Sequence, residues 1–190
     1  MIREGLIAGV LGEDYDKLPA ALQDLHMVAP RRNWCGEASI QRGRGVFASI
    51  AGWIGGFSPE SAQTRVEIEM IRTPDGETWI RKFGSKSFRS SLSIGQYRGR
   101  AVLMEQFGLF RFAIDLSRDG DRLRFPVLAV HVLGLALPKL LRPISETSEY
   151  VDPEGRPCFD VRITLPIGGL VAHYSGWLEP ETNANRSHFS

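Results

Sequence analysis

The sequence has little cysteine and no long apolar run. Cys35 and Cys158 are its two cysteines, too few for a disulfide-stapled scaffold, and neither lies in a CxxC pair or at metal-ligand spacing from a histidine. Stretches without Asp, Glu, Lys or Arg, such as residues 45–59 and 125–138, are all shorter than the roughly 20 residues that a spanning helix needs. We therefore expect a cytoplasmic protein with no transmembrane segment.

An excess of charge of one sign is also missing. The 23 Lys and Arg residues almost balance the 22 Asp and Glu residues, which leaves a formal charge of +1. A nucleic-acid-binding domain normally carries a basic surplus, so we expect no nucleic-acid partner. The four histidines are too scattered to form a set of metal ligands, and no complete catalytic or cofactor signature is present. We expect neither a metal nor a cofactor. The histidines are His26, His131, His173 and His188.

The length of 190 residues suits one hydrophobic core. We expect a single β-rich domain over residues 1–180 and a polar, disordered tail over residues 181–190. Two short helices are predicted near the N-terminus. The first contains a capping aspartate, Asp14, a first-turn proline, Pro19, and apolar residues at helical spacing, Leu18, Leu22 and Leu25. The second is the uncharged stretch 46–54, which ends at a glycine pair.

From residue 63 onward the apolar period changes to two, which is typical of strands with one buried face. Turn residues such as those at 73–76 and 118–120 separate the strands. About ten strands are predicted to form a meander, with the helix at 46–54 inserted after the first strand. Their predicted ranges are 34–41, 63–70, 77–83, 87–94, 101–107, 109–117, 121–132, 144–150, 157–165 and 170–178.

An antiparallel meander of this length favours a calycin-like barrel or a strongly curved sheet, because closure removes exposed strand edges. The alternative is a helix-grip fold, in which a curved sheet wraps a helix. That fold needs a long C-terminal helix, whereas this chain ends in polar residues.

One predicted strand carries an unusual mixture on a single face: Glu77, Trp79, Arg81 and Phe83 alternate along it. If this face is interior, its charges need partners, since unpaired buried charges are costly. Either the residues form a structural ion-pair network, or Arg81 receives the carboxylate or phosphate head of an amphipathic ligand. The candidate ligand-binding residues are Glu77, Trp79, Arg81, Phe83, Glu105, Phe112 and Tyr174.

Several motifs occur in a recognisable order: LGEDYDKLP at 11–19, ETWIRKF at 77–83, EQFG at 105–108, GLALPKLLRP at 134–143 and YSGWL at 174–178. Together they resemble the bacterial domain-of-unknown-function 4166 family across nearly the whole chain. Members of that family also occur after nucleotide-binding oxidoreductase-like domains. The resemblance implies an accessory or ligand-binding role and supplies no catalytic residues.

Three functional hypotheses follow. The first is non-catalytic binding of an apolar or amphipathic small molecule in a β cavity, with Arg81 at its polar head. The second, implied by the resemblance, is an interaction domain for a nucleotide-dependent oxidoreductase-like partner. The third is a cofactor-free hydrolase or isomerase that uses a buried carboxylate, Glu77 or Glu105.

Overall fold

The computed structural model describes residues 5–43, 61–166 and 169–182. The helix predicted at 46–54 lies outside these residues. The described chain begins with three short helical turns: α1 spans Leu6–Leu11, a 3₁₀ segment spans Gly12–Lys17, and α2 spans Ala20–Leu25. The prediction placed one helix here. The apolar stretch before it, expected only as chain entry, forms α1 and buries Ile7 and Ala8.

Thirteen strands complete the described fold. Their bounds are β1 Arg31–Arg42, β2 Ser61–Thr73, β3 Gly76–Phe83, β4 Lys86–Tyr97, β5 Arg100–Phe107, β6 Phe110–Ile114, β7 Ser117–Asp119, β8 Arg122–Arg124, β9 Val127–Val132, β10 Leu135–Ala136, β11 Ile144–Val151, β12 Pro157–Leu165 and β13 Gly169–Pro180. All of them pair antiparallel in one sheet, ordered β10-β9-β6-β5-β4-β3-β2-β1-β13-β12-β11-β8-β7.

The sheet is curled into a half-barrel, and one connection shows how far it curls. Strands β6 and β7 lie near opposite ends of the strand order, yet only Asp115 and Leu116 separate them in sequence. The chain returns through Phe125 and Pro126 to β9, where the amide of Asp115 donates to the carbonyl of Pro126 at 2.9 Å. Leu116 and Phe125 are both buried. The two ends of the sheet must therefore lie close together around this crossing.

The same crossing accounts for two of the three strands that were not predicted, and the third is the two-residue strand β10. The segments 109–117 and 121–132 each divide in two, because each begins on one end of the sheet and finishes on the other. Pro126 has no amide hydrogen to donate and lies in the gap between β8 and β9. Apolar periodicity runs through both breaks and gave no sign of them.

The inner face of the sheet holds the core, and the N-terminal helical segment packs against it. Leu22 and Leu25 of α2 are buried in the same cluster as Trp34, Val66 and many other apolar residues. Helix α1 contacts β4 and β5, whereas α2 contacts β11 and β12. The helical segment thus bridges both halves of the half-barrel at one end.

The predicted antiparallel, strongly curved sheet with short N-terminal helices is confirmed. The helix-grip alternative is wrong for the described residues, since the chain after β12 forms the long strand β13 up to Pro180 and residues 181–182 add no helix. No helix among the described residues is long and apolar enough to cross a membrane.

Candidate functional site

Polar side chains lie among aromatic rings on the inner face of β3. Glu77 is 3% exposed, and its Oε2 accepts a hydrogen bond from Nε1 of Trp79 at 2.8 Å. Its other oxygen lies 3.5 Å from the backbone amide of Leu6 in α1. The buried carboxylate therefore has one strong donor within its own strand and a long contact to the helical segment. These contacts satisfy groups that would be costly to bury alone.

Arg81 lies two residues beyond Trp79 on the same face of β3, and its side chain is 16% exposed. Its Nη1 donates to Oγ of Ser90 at 2.7 Å and to Oε1 of Glu105 at 3.1 Å. The guanidinium carbon lies 4.8 Å from the ring centroid of Trp79 and 5.6 Å from that of Phe88. Two aromatic rings and one ion pair hold the guanidinium in place.

One edge of the Arg81 guanidinium makes no hydrogen bond to the described residues. Both hydrogen bonds come from Nη1, and Nε and Nη2 donate to none of the described residues. Neither atom is among the fully buried polar atoms that lack a partner. These two nitrogens form the edge of a guanidinium that matches a carboxylate or phosphate in a bidentate pair.

A cluster of aromatic rings continues from Arg81 along the inner face. Phe83 lies 6.0 Å from Phe88, 6.4 Å from Phe159 and 5.6 Å from Tyr174, measured between ring centroids. Phe88 also makes an edge-to-face contact with Phe107 at 5.5 Å. The cluster belongs to the hydrophobic core and begins where the charged groups end.

Tyr174 connects the aromatic cluster to the charges. Burial raises the pKa of its hydroxyl to about 12, the nearby Arg81 opposes this rise, and Glu105 adds to it. The phenol therefore stays protonated across the physiological range and keeps its O–H donor. Phe112 pairs in register with Glu105, which places it on the same face at the far side of the ion pair.

Glu77 and Glu105 lie in one row across the sheet, because both pair in register with Leu92. Two strand spacings, each about 4.8 Å, separate their Cα atoms. The buried side chain of Leu92 lies between them. Trp79 donates to Glu77 and Arg81 donates to Glu105. The two carboxylates on the inner face therefore have separate partners.

The family model for a domain of unknown function, DUF4166, matches residues 18–178. The chain belongs to this family. No curated protein matches this chain. Among solved structures it is similar to Rv2717c from M. tuberculosis, with 14% sequence identity, a TM-score of 0.43, and coverage of 87% of this chain and 99% of that one.

The structure places all seven predicted site residues on one face of the DUF4166 domain. Glu77, Trp79, Arg81 and Phe83 come from β3, and the other three reach the same surface from β5, β6 and β13. Of the Glu77 and Arg81 charges, Arg81 forms one ion pair with Glu105, whereas Glu77 accepts a hydrogen bond from Trp79. Trp177, also a conspicuous aromatic, packs its ring under Arg156 at 4.4 Å instead.

Three residues of the site were not predicted: His26, Phe88 and Ser90. Ser90 is 2% exposed and lies in a serine-rich stretch, where composition suggests a surface strand. His26 is buried at the end of α2, its ring stacks on Trp79 at 5.8 Å, and its Nε2 lies 2.5 Å from Oε2 of Glu149. The strand period of β4 would have indicated Phe88 and Ser90, but a lone histidine after a helix carries no such signal.

No group of three metal-binding side chains occurs in the described ranges of the chain. Both cysteines are buried, and neither forms a disulfide within the described residues. Burial raises the pKa of the Cys158 thiol to about 11, and the neighbouring Asp152 adds to the rise. A thiol in this environment is a poor nucleophile at neutral pH.

Proposed function

We propose that the DUF4166 domain binds an amphipathic small molecule through an anionic head that pairs with Arg81. The observation that carries the proposal is the half-used guanidinium: Nη1 is held by Ser90 and Glu105, whereas Nε and Nη2 have no hydrogen-bond partner among the described residues. A fixed arginine with a free edge is suited to a carboxylate or phosphate.

The surroundings of Arg81 favour an anion over a neutral polar group. Trp79 and Phe88 flank the guanidinium and lower its access to water, which strengthens a charge-assisted hydrogen bond. Glu105 offsets part of the positive charge at 3.1 Å, but it contacts Nη1 alone. An incoming head group on the opposite edge therefore does not need to displace it.

The aromatic cluster supports an apolar body for the same molecule. The ring of Phe83 contacts those of Phe88, Phe159 and Tyr174, and Phe159 also contacts Tyr174. The cluster begins next to Arg81, whose guanidinium lies over Phe88. Aromatic walls with a few convergent polar groups are the usual lining of small-molecule sites.

The contacts of the two carboxylates favour binding over catalysis. Glu77 accepts from the indole of Trp79, and Glu105 pairs with Arg81. Each therefore has a structural partner that explains its presence. We accordingly do not extend the proposal to hydrolysis or isomerisation, and we place the protein in the bacterial cytoplasm because of its low cysteine content.

The fluorescent probe 1-anilinonaphthalene-8-sulfonate tests the proposal, since it combines a sulfonate with an aromatic body. We expect saturable binding to the intact protein and at least about tenfold weaker binding to Arg81→Met, because a hydrogen bond to a charged group contributes about 1.5–3 kcal/mol. Urea unfolding of each variant confirms that the fold is retained.

Arg89→Met is the matched control. Arg89 lies on the neighbouring strand β4 and is exposed, so the same change there removes the same charge from the opposite face. We expect its probe affinity to equal that of the parent protein. Equal affinities for all three proteins would contradict the proposal.

A further inference from the structure

Two neighbouring hairpin tips carry exposed leucines. Leu109 lies in the two-residue turn between β5 and β6, and Leu133 lies in the one between β9 and β10. They are 61% and 74% exposed. The amide of Leu133 donates to the carbonyl of Leu109 at 3.2 Å. The two tips therefore form one apolar projection at the end of the sheet.

Other two-residue tips in the described chain have a different composition. The turns at 74–75, 84–85, 98–99 and 120–121 contain proline, glycine, serine, aspartate or arginine, which are ordinary residues of exposed turns. Leucine occupies only the two tips that contact each other within the described ranges. This placement is not explained by the needs of a hairpin.

The backbone at Leu133 makes the placement more unusual. Leu133 has φ 52° and Gly134 has φ 83°, the two positive values of a type I′ turn. Asn, Asp or Gly is strongly preferred at both central positions of such a turn, because other side chains are strained there. The protein thus holds a leucine in a strained backbone position and exposes it to water. Neither cost is compensated within the described fold.

The apolar projection continues along the adjacent sheet edge. Leu135 of the terminal strand β10 is 75% exposed, and Leu140 and Leu141 in the following turn are 60% and 51% exposed. We call these three residues, together with Leu109 and Leu133, the leucine edge. They are the largest concentration of exposed aliphatic side chains among the described residues.

The charges around the leucine edge are positive. A groove of about 440 Å³ lies behind the two tips and is lined by Arg111 and His131, with Leu109 and Leu133 at its rim. Lys139 and Arg142 lie in the turn that carries Leu140 and Leu141. The sequence segments that form this region, 106–114 and 122–145, contain no Asp or Glu.

We propose that the leucine edge docks the protein onto the surface of an anionic lipid bilayer. Protruding leucines insert among lipid head groups, and adjacent Lys and Arg residues are attracted to the negative surface potential. A protein partner fits less well, because leucine is under-represented among the residues that dominate protein interfaces and the edge has no exposed Trp or Tyr in the described ranges. This proposal does not depend on a ligand at Arg81.

Vesicle sedimentation of the full chain tests the proposal. We expect the protein to sediment with vesicles of phosphatidylglycerol and phosphatidylcholine, more weakly at high salt, and little with phosphatidylcholine alone. The double variant Leu109→Ser with Leu133→Asn should lower the partition coefficient by at least about tenfold, because two apolar side chains no longer reach the bilayer.

Misfolding cannot imitate this result, because the two substitutions restore residues that the turns prefer. Asparagine suits the first position of the type I′ turn, and serine after Gly108 suits the other hairpin tip. We expect the double variant to unfold at an equal or higher urea concentration while it binds vesicles less. Met27→Ser is the control, since Met27 is an exposed apolar residue, 51% exposed, next to α2.

Three outcomes would overturn the proposal. The parent protein stays in the supernatant with anionic vesicles at low salt, or the double variant sediments as well as the parent, or Met27→Ser reduces sedimentation equally. If the parent forms a dimer that the double variant does not form and ignores vesicles, the leucine edge is an interface between two copies of this chain.

Discussion

The Nε2 atom of His26 lies 2.5 Å from Oε2 of Glu149, across 123 residues of sequence. This contact joins the end of α2 to β11, and the histidine ring also stacks on Trp79 of β3. Its Nδ1 is buried and has no hydrogen-bond partner among the described residues. One side chain therefore links the helical segment to both halves of the half-barrel.

We predict that His26→Ala lowers the free energy of unfolding by about 2–4 kcal/mol, because it leaves a cavity beside Trp79 and a carboxylate without its partner. Glu149→Ala should cost a similar amount, and the double variant should cost clearly less than the sum. Urea unfolding of the four proteins measures this coupling.

His173→Ala provides the comparison. His173 pairs with Asp160 at 2.9 Å, but the two side chains are 25% and 42% exposed, so we expect a change of less than about 1 kcal/mol. Additive effects of the His26 and Glu149 substitutions would show that their contact contributes nothing to stability.

The Glu77 carboxylate is predicted to act as an acceptor for Trp79. Glu77→Ala leaves Nε1 of Trp79 buried without its partner and should cost about 1–3 kcal/mol, whereas Glu77→Gln keeps an acceptor oxygen and should cost less. Tryptophan-detected urea unfolding gives both values. Glu67→Ala, which removes a carboxylate that pairs with Lys82 and Arg65 on the other face of the sheet, should change stability by less than about 1 kcal/mol.

Three of the four tyrosines should ionise late, since burial also raises the pKa of Tyr150, and two of them have the largest shifts. Burial raises the pKa of both Tyr15 and Tyr174 to about 12. In the unfolded chain both lose their proton near pH 10, so the unfolded state binds fewer protons between pH 10 and 12 and stability falls as the pH rises through this window.

Absorbance at 295 nm during an alkaline titration measures these ionisations. Tyr15→Phe and Tyr174→Phe should each remove part of the late phase. Complete ionisation of all tyrosines near pH 10, with the fold intact by circular dichroism, would contradict the burial of both hydroxyls.

The sequence predicts the shared face of β3 well because a strand alternates its side chains between two faces. Glu77, Trp79, Arg81 and Phe83 must share a face once the strand is recognised. Phe112 followed from the period of its own strand, whereas Glu105 and Tyr174 were candidates because they lie in motifs of the family that the sequence resembles. Because charged side chains share this face with aromatic rings, the charges need hydrogen-bond or ion-pair partners.

Other features depend on long-range pairing that periodicity does not encode. Nothing near His26 in the sequence indicates Glu149, and the crossing at Asp115–Leu116 lies inside a continuous apolar pattern. The serine-rich composition around Ser90 suggests a surface strand, although β4 turns Ser90 towards Arg81. The leucine edge was also missed, because an exposed leucine cannot be distinguished from a buried one before the hairpin tips are placed.

The most direct test of the account compares dodecanoate with dodecanol by isothermal titration calorimetry, on the parent protein and on Arg81→Met. The two ligands share an apolar chain and differ in the charge of the head group. If Arg81 receives the anionic head, the parent prefers dodecanoate by at least about tenfold and Arg81→Met loses that preference. If both proteins bind the two ligands with equal affinity, or bind neither, the proposed site is wrong.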